Sequence, residues 1–79
     1  MTRERSIPPE QMLANAIIIQ AADDYRVSLR RLKLNRMSRE FLQMKEDCEK
    51  FFQSQWFEQL TSVDGKTIMK RIQKEELGI

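Results

Sequence analysis

The residues able to do chemistry are few. Carboxylates stand side by side at Asp23 and Asp24 and more loosely at Glu40, Glu46, Asp47 and Glu49, with the single cysteine, Cys48, among them. Adjacent helical residues point about 100° apart, so Asp23 and Asp24 do not converge on one cation. Their spacing suits a solvated helix face, with Asp23 in reach of Arg26 for a surface ion pair, and the acids around Cys48 read the same way. The chain has no histidine, which removes the commonest general base and the commonest neutral metal ligand. A lone cysteine without histidine makes neither a zinc site nor a thiolate–imidazole pair. Cys48 falls on an apolar stripe, where a thiol behaves as a small hydrophobe. A redox role would need exposure and a depressed pKa. Gly65 stands alone and cannot form a phosphate-cradling loop. The expectation is a chain that is not an enzyme and uses no metal or organic cofactor.

Positive charge is the stronger signal. From Arg26 to Arg39 the chain carries Arg26, Arg30, Arg31, Lys33, Arg36 and Arg39 with no acid among them. Lys66, Lys70 and Lys74 recur at four-residue steps on the side away from Ile68 and Ile72, with Arg71 nearby. Such a surface can neutralise phosphates or meet an acidic partner. The competing reading is that these are solvated helix charges matched to the helix dipole. The net charge of +2 is too small to imply nucleic acid by itself. A helix-turn-helix over Thr61 to Leu77 fits poorly, because Arg71 occupies a position that motif needs apolar.

Three helices are expected to position these residues. Pro9 suits the first position of a helix, Glu10 suits its positive end, and Ile7 and Met12 are spaced as a hydrophobic staple. The first helix spans about 9–34, with Ala14, Ile18, Ala21, Ala22, Tyr25, Leu29 and Leu32 on one face. Asn35 is expected to end it in the left-handed conformation. Ser38 is a good N-cap for a second helix over about 39–60, whose apolar positions are Phe41, Leu42, Met44, Cys48, Phe51, Phe52, Trp56 and Leu60. Asp64 caps a third, about 65–76, with Ile68, Met69 and Ile72 inward and Gly78 at its end. The fold class expected is all-α: a long antiparallel hairpin with a shorter third helix, a three-helix bundle. It forms one domain over residues 1–79, with residues 1–8 flexible.

A second apolar stripe on the first helix, Met12, Ala16, Ile19, Val27 and Leu34, has no evident cover. Helices apolar on two sides have two partners. The plain reading is cover by the third helix; the sharper one is a protein interface. One form of that interface is a homodimer packed antiparallel about the Arg26–Val27 midpoint, with Asp23 opposite Arg30 and Ile19 opposite Leu34. Phe57 falls outside the main stripe of the second helix and is a candidate interface anchor, although packing beneath a neighbouring helix accounts for it as well.

The 41% hydrophobic and 33% charged composition over 79 residues fits one folded helical domain rather than a disordered chain. One cysteine gives an oxidising compartment nothing to stabilise. The longest apolar run, Ala16 to Ile19, is far short of a membrane span, and no signal-peptide pattern follows Met1. The expected location is the cytoplasm, with no membrane partner.

The segments Ala21-Ala22-Asp23-Asp24-Tyr25-Arg26, Cys48-Glu49-Lys50-Phe51-Phe52-Gln53-Ser54-Gln55-Trp56-Phe57 and Val63-Asp64-Gly65-Lys66 resemble short uncharacterised helical proteins encoded in prophages and integrative elements of Gram-positive bacteria. The resemblance covers about Ala14 to Glu76 and carries no functional residue over. It implies an accessory protein of a mobile element: a regulator, a DNA-associated factor, or an inhibitor of host defence of the anti-CRISPR kind. The function expected is a non-enzymatic protein-binding module, with a small nucleic-acid-binding protein as the alternative.

Overall fold

Two glycines and two prolines leave few places for the chain to turn, so its elements are few. A computed structural model describes residues 9–78, with side chains from Gln11 onward. The expectations for residues 1–8, the staple from Ile7 and the role of Glu10 lie outside the described residues. Among those described, the chain is all α: α1 (Pro9–Leu34), α2 (Arg39–Phe52), α3 (Gln55–Leu60) and α4 (Gly65–Leu77).

There are four helices where three are expected. The second does not run to Leu60; it stops at Phe52, and α3 restarts at Gln55. Ser54 causes the break. Its backbone N–H and its Oγ both donate to the Phe51 carbonyl, at 3.1 and 2.7 Å, and its Oγ accepts the Phe57 N–H at 3.1 Å. A serine side chain that binds local backbone on both sides competes with helix continuation. The break resets the helical phase. In an uninterrupted helix Phe57 would point about 180° from Cys48. After the break Phe57 is fully buried and Trp56, expected in the core, is 54% exposed. Leu42, also expected inward, is exposed.

The turn between α1 and α2 departs from expectation in mechanism. No residue other than glycine has a positive φ among those described, so Asn35 is not left-handed. Its Oδ1 instead accepts the Met37 N–H at 3.2 Å, while its own N–H closes on Arg31 and its carbonyl accepts the Ser38 N–H. This side-chain turn does what the left-handed cap would have done. Ser38 and Asp64 cap α2 and α4, and Gly78, at φ 75°, closes α4 by donating to the Lys74 carbonyl.

The chain doubles back after α1, bringing Glu49 of α2 to Tyr25. α4 then runs alongside α1 in the same direction, with Gln73 at Tyr25 and Glu76 at Arg30. The core is Tyr25, Leu29, Cys48, Phe52, Phe57 and Ile72, with Phe51 partly buried against it. The ring centroids of Phe51, Phe52 and Phe57 are 5.5–5.6 Å apart, in tilted and edge-on geometries. Each fully buried phenylalanine contributes about 1.5–3 kcal/mol from its apolar area alone. α4 enters this core through Gly65, whose position leaves no room for a side chain: a Cβ there would lie 1.8 Å from the Phe52 carbonyl oxygen.

Candidate interaction surface

The core stripe of α1 decides what the rest of α1 shows. Ala14, Tyr25 and Leu29 are buried, and Ile18, Ala21, Ala22 and Leu32 are half-buried. α2 and α4 flank that stripe, so the side opposite Tyr25 faces solvent. It carries Met12, Ala16, Ile19, Val27 and Leu34, all exposed, with Leu34 at 80%. α4 does not cover them. Two further apolar side chains extend the patch beyond the stripe read from sequence: Leu13, at 65% exposure, and Met37, at 81%, in the turn after α1. Leu13, Gln20, Val27 and Leu34 stand seven apart, a heptad spacing that was available as a signal. Between Val27 and Leu34 the guanidiniums of Arg30 and Arg31 wall a shallow groove of about 160 Å³.

Phe57 is no part of any surface. It is fully buried among Phe51, Phe52 and the start of α4, because the break at Ser54 turned it inward. The exposed aromatic beside it is Trp56, edge-on to Phe51 at 5.4 Å.

The basic residues divide into two sets. Arg26 pairs with Asp23 at 3.2 Å and Glu75 at 3.4 Å. Arg30 grips Glu76 with two bonds, Nε to Oε1 at 3.1 Å and Nη2 to Oε2 at 2.9 Å. Lys33 donates to the Glu76 carbonyl at 2.6 Å. The bond from Arg30 holds the Glu76 carboxyl below the usual carboxylate range, and the same contact raises Arg30. These three cations therefore form the seam between α1 and α4. Arg31, Arg36 and Arg39 are exposed and form no ion pair among the described residues, and Lys66, Lys70 and Lys74 are exposed on α4.

The buried polar groups serve the fold. The Tyr25 hydroxyl donates to Glu49 Oε2 at 2.7 Å and accepts from Gln73 Nε2 at 2.8 Å, joining α1, α2 and α4 at one atom. Lys45 completes the group with a 3.1 Å contact to Glu49. Burial pushes the Tyr25 hydroxyl up to about 12, the Glu49 carboxylate adding to the rise and the bond from Gln73 opposing it. Burial likewise pushes the Cys48 thiol up to about 11, with Asp24, Asp47 and Glu49 adding repulsion. A thiol so placed is a poor nucleophile. Ser28, fully buried, donates to the Tyr25 carbonyl at 2.7 Å.

A cleft of about 450 Å³ opens beside the start of α4, lined by Phe52, Glu58, Thr61, Asp64 and Lys66 among others. Its polar atoms are partly spoken for: Asp64 accepts from the Lys66 N–H and from the Thr67 hydroxyl. Among the described residues no group of histidine, cysteine and carboxylate side chains is placed to hold a metal ion, and no helix is long and apolar enough to cross a membrane.

Comparison of the chain with protein-family models, with curated proteins and with solved structures gives no match.

Proposed function

We propose that this chain is a non-enzymatic protein-binding module that docks through the outer face of α1. One observation carries the reading: Met12, Ile19, Val27 and Leu34 line up on the side of α1 opposite the core and stay exposed although α2, α3 and α4 are all in place. An apolar strip rimmed by charge is the usual mark of a protein contact. The resemblance to accessory proteins of prophages and integrative elements supplies the context, a regulator or an inhibitor of host defence that acts by occupying a site.

The nucleic-acid alternative loses force from the pairing of Arg26, Arg30 and Lys33 with the end of α4, since a cation already bound to a carboxylate releases fewer counterions from DNA. It rests on Arg31, Arg36, Arg39 and the α4 lysines.

A photo-crosslinking side chain placed at Leu34 or Ile19, with Lys70 on α4 as the control position, tests the docking face in cells. Adducts with protein from the α1 positions and none from Lys70 are expected. Absence of adducts at both α1 positions overturns the reading. Micromolar DNA binding that weakens steeply with salt, and is lost on replacing Arg31 and Arg36, transfers the function to the alternative.

A further inference from the structure

We infer that the occupant of the outer face of α1 is a second copy of this chain, packed antiparallel about a two-fold axis at Val27. This rests on the reading of that face as a docking surface and names its partner. Around Val27 the face reads Asp23, exposed, and Asp24, half-buried, on the N-terminal side and Arg30 and Arg31, both exposed, on the C-terminal side. The acids stand four and three residues before Val27, the bases three and four after it, so the face is antisymmetric in charge about that residue.

Helical geometry turns this order into contacts. At 100° per residue Asp23 and Arg30 fall on one flank of the line through Val27, and Asp24 and Arg31 fall on the other. An antiparallel copy related by a two-fold axis keeps each flank on its own side and reverses direction along the helix. Asp23 then lies within about one residue rise of the partner's Arg30, and Asp24 within the same distance of the partner's Arg31. The groove walled by Arg30 and Arg31 receives the partner's two aspartates. Val27 meets its own mate, and Ile19 meets the partner's Leu34. A parallel arrangement would set acids against acids and bases against bases.

Asp23, Arg30 and Arg31 are open to these contacts, and Asp24, half-buried with its Oδ1 accepting from Gln20 Nε2 at 3.0 Å, keeps Oδ2 for the partner. The Asp23 side chain is 62% exposed, with one contact to Arg26 at 3.2 Å. Arg30 uses Nε and Nη2 on Glu76, which leaves Nη1 for a second carboxylate. Arg31 forms no ion pair among the described residues.

Sedimentation equilibrium of the full chain from about 1 to about 300 µM, a range that brackets a micromolar dissociation constant, reads the mass directly. The expected mass rises toward twice the 9.5 kDa of one chain and falls back as salt is added. Asp24→Arg alone and Arg31→Asp alone each return it to one chain with helix content unchanged, and the double variant restores the pair. Val27→Cys in a Cys48→Ala background closes a disulfide between chains, because a residue on a two-fold axis touches its own mate. A mass of one chain at every concentration overturns the proposal, as does a pair that survives Asp24→Arg. If the chain is monomeric but crosslinks from Leu34 to a different protein, the docking face stands and its occupant is foreign.

Discussion

The Tyr25 hydroxyl and the Glu49 carboxylate meet at 2.7 Å in a site where the tyrosine is fully buried. Gln73 closes the same atom from α4. Tyr25→Phe removes both bonds and leaves Gln73 and Glu49 to find other partners. The expected cost is about 1–3 kcal/mol in urea unfolding.

The same burial makes stability depend on pH at the alkaline end. The folded hydroxyl titrates near about 12, against 10.0 for the free side chain. Below about pH 10 both states hold the proton and the full contribution is present. Between about pH 10 and 12 the unfolded chain loses it first, so stability falls as pH rises, by on the order of 2 kcal/mol. Tyr25 is the only tyrosine, so tyrosinate absorbance follows it without ambiguity. A native-state midpoint near 10 contradicts the buried hydrogen bond.

Gly65→Ala tests the approach of α4 to α2. The added Cβ meets the Phe52 carbonyl oxygen and carbon, at 1.8 and 2.8 Å, and these are backbone atoms that cannot rotate away. α4 must shift bodily. A loss of about 3 kcal/mol is expected by thermal or denaturant unfolding. Gly78→Ala, in the left-handed position at the end of α4 but with open space around it, costs about 1 kcal/mol.

The two neighbours Trp56 and Phe57 separate surface from core. Phe57→Ala empties a site among Phe51 and Phe52 and costs about 3–5 kcal/mol. Trp56→Ala removes a half-exposed ring and costs about 1 kcal/mol or less. A larger loss from Trp56→Ala than from Phe57→Ala would mean that α2 continues through Ser54.

Cys48 is expected to resist a disulfide reagent at about pH 8 in the folded chain and to react at once in denaturant. Burial and three nearby carboxylates hold its proton up to about 11. Fast reaction of the native thiol would place it at the surface.

Much of this arrangement was legible in the residues themselves. The stripe from Ala14 to Leu32 has the helical period and is the stripe that faces the core, and Asp64 and Gly78 mark the bounds of α4 with their usual chemistry. The break at Ser54 was not legible, because serine is tolerated inside helices as well as at their caps and no glutamate or glutamine stands at Phe57 to complete a capping box. That one ambiguity reversed the burial of Trp56 and Phe57. The basic run misled for another reason. Apart from Asp23, its acids are not near it in the sequence but at Glu75 and Glu76, more than forty residues on, and only the path of α4 brings them back.

The polar seam between α1 and α4 sets the order in which the molecule opens. Beyond Ile72, α4 contributes no buried side chain; its last turn is held by Arg26, Arg30 and Lys33 at the surface, where water and salt compete for every contact. Amide protons of Glu75, Glu76 and Leu77 therefore exchange with solvent first, and those flanking Tyr25, Cys48 and Phe52 last. α4 frays from its C-terminal end while α1 and α2 are still paired.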